Sequence, residues 1–171
     1  MPSDLRIRAE TATDISHIHR VNEAAFGSPA EATLVDALRQ QAADVISLVA
    51  EDRGEIVGHI MFSPVRVEGA ERIRSMALAP MAVTPDRQRV GIGSQLVQAG
   101  LAECSRRGVE AVFVVGHPLY YPRFGFARAS AVGFACEFDV DDAAFMVVEL
   151  VPKALNGMTG TVYFHEAFKA V

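Results

Sequence analysis

The sequence has no tryptophan, and its 171 residues include only two cysteines, Cys104 and Cys136. Two distant cysteines exclude a disulfide framework and a Cys-x-x-Cys metal site. No run approaches the roughly eighteen apolar residues needed to span a bilayer. The start, Met1-Pro2-Ser3-Asp4-Leu5-Arg6, lacks the basic-then-apolar order of a secretory leader, so a reducing, cytoplasmic setting is expected. Positive charge is also scarce: 16 Lys and Arg stand against 21 Asp and Glu, a net charge of −5. Bulk nucleic-acid binding, which relies on clustered positive charge to displace counterions, is therefore not expected. A small phosphorylated ligand needs only a few local donors and is not excluded.

The five histidines do not converge on a metal site. His17 and His19 are two apart on an expected helix and face different ways, while His59 and His165 stand singly. No metal is expected. Neither a Ser-His-Asp order nor a nucleophile elbow is present to support hydrolase chemistry.

Half of the residues are apolar, and a chain of this length buries about 70% of the surface exposed when unfolded. With no repeat or low-complexity linker, residues 1–171 are expected to form one domain. Residues 5–9 alternate as a first strand. Thr11-Ala12-Thr13-Asp14 fits a capping box before a helix bearing Ile15, Ile18, Val21 and Ala25. Ser28-Pro29-Ala30-Glu31 is a second such signature, with proline at the first helical position and Leu34, Val35 and Leu38 facing inward. Residues 45–50 and 56–62 form a hairpin around Asp52-Arg53-Gly54. A further strand at 73–83 contains Pro80, which cannot donate to a ladder and so predicts a bulge or an edge. The helix that follows ends at Arg106-Arg107-Gly108, with cations at its negative end and glycine at its cap. Residues 111–115 suit a buried strand, and 145–151 and 161–164 suit late ones. The spacing of Phe124, Phe126, Phe134 and Phe138 reads as core packing of late strands. The fold class is mixed α/β.

Between Val83 and Ser94 a strand runs into a loop with Gly91 and Gly93 and then directly into the long helix. Glycines allow positive φ and close backbone approach, and a helix N-terminus offers free N–H groups to an anion. Arg87, Arg89 and the Ser94 hydroxyl add donors. A bare Gly-x-Gly turn is weak evidence, but these neighbours point to a phosphate site. A dinucleotide loop of the Gly-x-Gly-x-x-Gly kind is disfavoured because Leu96 stands where its third glycine belongs.

Pro85-Asp86-Arg87-Gln88-Arg89-Val90-Gly91-Ile92-Gly93 resembles the Q/R-x-x-G-x-G/A signature of the GNAT superfamily of N-acetyltransferases. Val115-Gly116-His117-Pro118-Leu119-Tyr120-Tyr121-Pro122-Arg123-Phe124-Gly125-Phe126 resembles a later segment of that family, Y-x-K/R-x-G-F, and comes closest to an uncharacterised bacterial branch. The two motifs stand in the family's order, separated by one helix and one strand. The resemblance implies a GNAT fold, a central mixed and mostly antiparallel sheet flanked by helices, with splayed fourth and fifth strands. It implies acetyl-CoA as cosubstrate, held by Met81, Ala82 and Val83 along the splayed strand and by Gln88, Arg89, Val90, Gly91, Ile92, Gly93 and Ser94 at the phosphates. His117 and Arg123 join this set as cofactor contacts.

By the same resemblance, acetyl passes to a primary amine by direct attack through a tetrahedral intermediate, with Tyr121 returning a proton to the thiolate. Tyr121 could instead pack beside the cofactor and only hydrogen-bond its sulfur. Tyr120 is expected to be structural or substrate-facing. His117 could contact pantetheine, cap its turn or take a proton, with the first two ranked higher. Glu23, Glu31 or water could serve as base, and neither cysteine stands in the expected thioester slot. The acceptor, a small-molecule amine or a protein amine, stays open, and so does a homodimer. A non-catalytic CoA-binding sensor is the alternative.

Overall fold

The computed structural model describes residues 4–171. Along the chain, β1 (Leu5–Ala9) leads through α1 (Ile15–Phe26) and α2 (Ala30–Gln41) to β2 (Ile46–Asp52), β3 (Glu55–Pro64), β4 (Arg66–Glu68) and β5 (Ser75–Val83). Then follow α3 (Ile92–Arg106), β6 (Ala111–Val115), β7 (Ala127–Arg128), β8 (Phe134–Cys136), β9 (Phe145–Glu149) and β10 (Gly160–Tyr163). Seven strands form one sheet in the order β1-β2-β3-β5-β6-β9-β7, and β4-β10-β8 form a second. Within the main sheet only β5 and β6 pair in parallel. This is the mixed, mostly antiparallel architecture expected, with β4, β7 and β8 added. Those three are two or three residues long, too short for an alternating pattern to show in sequence.

The local signals explain the helices and turns that frame the sheet. Asp14 accepts the Thr11 N–H at 2.7 Å, closing the first capping turn, and Arg8 grips the same carboxylate at 2.7 and 3.0 Å. That guanidinium holds the Asp14 carboxyl well below the usual carboxylate range. At α2, Ser28 Oγ accepts from the Ala30 N–H and donates to Glu31, each at 3.4 Å. Pro29 stands at the cap itself, one place before the first helical position expected for it, and its carbonyl takes the Thr33 N–H at 2.8 Å. The β2–β3 hairpin turns on Arg53 and Gly54 at φ 53° and 81°, the two left-handed residues of a twist-matched tight turn.

Alternation along the central strands divides the core in two layers. On one face Leu96 and Val97 of α3 meet Ile60, Phe62, Met76, Leu78, Val112 and Val114. Gly100 lets α3 sit close here, since a Cβ would lie 2.4 Å from the Phe62 ring. On the other face Ile18, Val21, Leu34, Val35 and Leu38 of α1 and α2 cover Val49, Met61 and Ala82. Beside them, Phe113, Phe145 and Val147 pack against Phe134 and Val162 of the second sheet. The four phenylalanines expected to pack in the core do so, but on different sides of this division. Phe124 and Phe126 belong to the α3 layer, and Phe134 and Phe138 to the second sheet. Spacing along the chain cannot show which face of a sheet a later segment reaches.

Candidate functional site

The site begins where β5 and β6 part. Their parallel pairing covers only Ser75, Met76 and Ala77 against Ala111, Val112 and Phe113. Beyond Ala77, β5 continues to Val83 beside β3 and has no strand on its β6 side among the described residues. On the β3 side, Ile60 faces Met81 and Phe62 faces Leu78, so Ala79 and Pro80 together oppose Met61. This is a β-bulge, which bends the strand, and Pro80 removes one donor from it. The proline thus sits at a bulge, on the stretch of β5 that has no strand on its β6 side among the described residues.

At the end of β5 the chain is tied down before it turns. The Gln88 amide donates to the Val83 carbonyl at 2.9 Å, and Arg87 pairs with Asp52 at the β2–β3 corner. That pairing raises the Arg87 pKa and engages one guanidinium nitrogen of a side chain that also borders the cavity at this loop. Arg89 and Gly91 then take positive φ, 64° and 92°. The first amide of α3 to find a carbonyl is that of Gln95, bonded to Gly91 O at 3.1 Å. The amides of Ile92, Gly93 and Ser94 precede it and lie in the helix's orphan first turn. They open on a cavity of about 450 Å³ whose lining includes Gln88, Arg89, Gly91, Gly93 and Ser94. Gly93 itself is helical, and its missing side chain leaves space instead. A Cβ there would touch Met81 Cε and the Tyr120 hydroxyl, both at 3.4 Å.

The second motif reaches this cavity from across the splay. The Gly116 N–H donates to Ala144 O at 2.9 Å, and the His117 carbonyl accepts the N–H groups of Tyr120 and Tyr121 at 3.1 and 3.4 Å. His117 thus closes the turn through its backbone, and its exposed imidazole does not line the cavity. Gly116 makes room for the Tyr121 ring, since a Cβ there would fall 2.4 Å from Tyr121 Cε2. Tyr121 is buried in the α3 layer, and burial pushes its hydroxyl up to about 12. Tyr120, Arg123 and Val83 line the cavity. Ser94 Oγ lies 3.1 Å from the Tyr120 hydroxyl.

Of the expected cofactor residues, Val83, Gln88, Arg89, Gly91, Gly93, Ser94 and Arg123 converge on this cavity. Ala82 faces α1 and α2, Ile92 is buried under α3, and Val90 points into solvent at 67% exposure. None of the three lines the cavity. Tyr120 is the member that sequence reading missed; the paired tyrosines flagged the segment but not which ring turns outward.

The chain is similar to known proteins in sequence and fold. Residues 6–129 fit the family profile described as Acetyltransferase (GNAT) domain. The Escherichia coli K12 protein YhbS, an uncharacterised N-acetyltransferase, is 39% identical over 163 residues, which is 95% of this chain and 97% of that protein. The chain belongs to the GNAT N-acetyltransferases. Its fold superposes on the crystal structure of Escherichia coli YhbS in complex with CoA at a TM-score of 0.92, with 36% identity over 99% of this chain and 94% of the other. A GNAT acetyltransferase from Brucella melitensis, solved in complex with acetyl-CoA, superposes at 0.80 with 36% identity over 98% and 99%.

Other titratable groups of this GNAT chain lie elsewhere. Burial pushes the Cys104 thiol up to about 12 and that of Cys136 upward, leaving neither as a ready thiolate. Glu31 is tied to Ser28, and half-exposed Glu23 stands 3.8 Å from His19, whose other nitrogen lies 2.9 Å from Asp36. His59, which sequence showed only as a lone strand histidine, is fully buried. Its Nδ1 accepts from the Asn22 amide at 3.2 Å and its Nε2 donates to Ser47 Oγ at 2.8 Å. Ser47 in turn donates to Glu10, which Arg39 clasps at 2.7 and 3.0 Å. This relay joins β2, β3, α1 and α2 and is structural.

Proposed function

We propose that residues 1–171 act as one catalytic unit that moves acetyl from acetyl-CoA to a primary amine by direct attack, with Tyr121 as the proton donor to the departing sulfur. The donor is acetyl-CoA, and the single observation that carries the site assignment is the splay of β5 from β6 leading into a cavity rimmed by free amides and arginines. The donor set fits the group. The first-turn amides of α3, Arg89 and Arg123 suit a pyrophosphate. The unpaired edge of β5 suits an extended arm carrying amides. When bound, the cofactor supplies an acetyl group activated as a thioester.

The chain's own residues would do the rest. Backbone amides along the free edge of β5 stabilise charge developing on the carbonyl oxygen, with Pro80 marking the one position that cannot. Among the described residues the Tyr121 hydroxyl has no hydrogen-bond partner, so that proton is unspent. Its high pKa keeps it protonated throughout the neutral range. No acyl-enzyme is required, consistent with the inert surroundings of both cysteines. The amine's own proton leaves through water or through Glu23 or Glu31, both on the helices that cover the far face of the sheet.

The acceptor is a small-molecule or protein amine, and the site is a cytoplasmic one. Steady-state thiol release across a panel of amines tests the activity. Turnover with at least one amine supports it. CoA binding without turnover on any amine would favour a sensor module.

A further inference from the structure

We infer that Tyr120 is a binding residue of the cofactor site, its hydroxyl paired with that of Ser94 to receive the pyrophosphate of CoA. The inference rests on the cofactor reading above and assigns a role to a residue outside the two family signatures' matched positions.

The argument starts from proton accounting. Ser94 Oγ and the Tyr120 hydroxyl are 3.1 Å apart and have no other hydrogen-bond partner among the described residues. One of them must donate to the other, so one O–H remains unspent. Both line the same cavity as the first turn of α3, where the Ser94 amide is also free. An anionic oxygen seated there accepts the spare hydroxyl proton and the helix amides together.

The hydroxyl is also held in place. The Tyr120 ring is met edge-on by Tyr121, with centroids 5.1 Å apart, and by Phe124 at 5.3 Å. Arg123 carries its guanidinium 5.3 Å from the same ring centroid, bringing a positive charge to the cavity rim. Such a side chain loses little freedom on binding. Its position matters as much. Ser94 belongs to the β5–α3 half of the site and Tyr120 to the segment after β6, so their contact spans the splay that strand pairing leaves open. A phosphate held by both is gripped from the two sides between which the arm enters. Gly93 keeps the pair accessible, because a Cβ there would already be in contact with the Tyr120 hydroxyl.

The test is calorimetric binding of CoA and of dephospho-CoA to the full chain and to Tyr120→Phe, Ser94→Ala and the double variant. Tyr120→Phe keeps the ring, its aromatic contacts and the Arg123 stack, and an unchanged Tm verifies the fold. We expect Tyr120→Phe to weaken both ligands alike, by about ten-fold, the scale of a hydrogen bond to a charged group. The double variant should bind little worse than the weaker single variant, because the two hydroxyls act as one unit. Unchanged affinity in Tyr120→Phe overturns the inference. A loss seen with CoA but absent with dephospho-CoA also overturns it, since the hydroxyl would then read the 3′-phosphate. A fall in kcat at constant Kd overturns it in favour of a catalytic role. If the unaltered chain bound neither ligand, the cofactor reading itself would fall, an outcome distinct from all of these.

Discussion

The Nε2 of His59 stands 2.8 Å from the Ser47 hydroxyl, and both are covered by α1 and α2. Because Asn22 donates to Nδ1, the imidazole is held neutral with its proton on Nε2. Burial, with a smaller push from Arg39 against the pull of Glu10, lowers its pKa from 6.5 to about 3.

That shift sets a pH dependence. The unfolded chain binds a proton on this histidine below its ordinary value near 6.5, while the folded chain does not until about 3. Stability is therefore fully present above 6.5 and declines as pH falls through that window, by about 2 kcal/mol at pH 5 relative to pH 7. His59→Gln should be less stable at pH 7 but show a flatter decline between pH 6.5 and 4.5. Urea unfolding at several pH values measures both. An equally steep decline in the variant would locate the effect in the carboxylates, Asp14 and Glu10 among them, which titrate lower.

Tyr121→Phe should lower kcat by about 10² or more, the scale of a lost general acid, with CoA affinity and Tm little changed. Its hydroxyl has no partner to lose among the described residues. With a pKa near 12, this group should produce no falling basic limb in the pH–rate profile below about pH 10. Full activity in the variant would leave Tyr121 as a packing residue.

The two arginines of the loop should separate. Arg89 is exposed and has no ion pair among the described residues, so Arg89→Ala should weaken CoA binding several-fold, and the penalty should shrink in high salt. Arg87 is engaged with Asp52, so Arg87→Ala should match Asp52→Ala in a small loss of Tm. Arg87→Ala affecting affinity more than Arg89→Ala would mean that the ion pair opens to the ligand.

Two glycines should fail for different reasons. Gly91 has open space around it but φ of 92°, so Gly91→Val strains the backbone, costing about 1–2 kcal/mol, and distorts the loop. Gly100 has ordinary backbone, but a Cβ added there would lie 2.4 Å from the Phe62 ring, so Gly100→Val should lower Tm through overpacking of about 1–3 kcal/mol. Gly91→Val should raise the Kd for CoA at temperatures where the protein remains folded, while Gly100→Val should not. Calorimetry beside thermal melts distinguishes them.

Much of this was legible in the sequence because the signals are local. The capping turn at Thr11, the Arg53-Gly54 hairpin, the inward stripe of α3 and the two glycine-bearing motifs each depend on residues a few positions apart. Local chemistry decides local conformation, and the matched motifs identified the family. Tertiary structure alone decided what depends on which distant segments meet. It paired Arg87 with Asp52, 35 residues earlier, at the rim of the same cavity. It buried Tyr121 and turned Tyr120 toward Ser94, although the two tyrosines are adjacent in sequence. It made a lone histidine the centre of a relay across four elements. A strand pattern fixes which residues alternate but not which face the rest of the chain will cover. That choice is made only when the layers pack, and it determined which donors were free for a ligand.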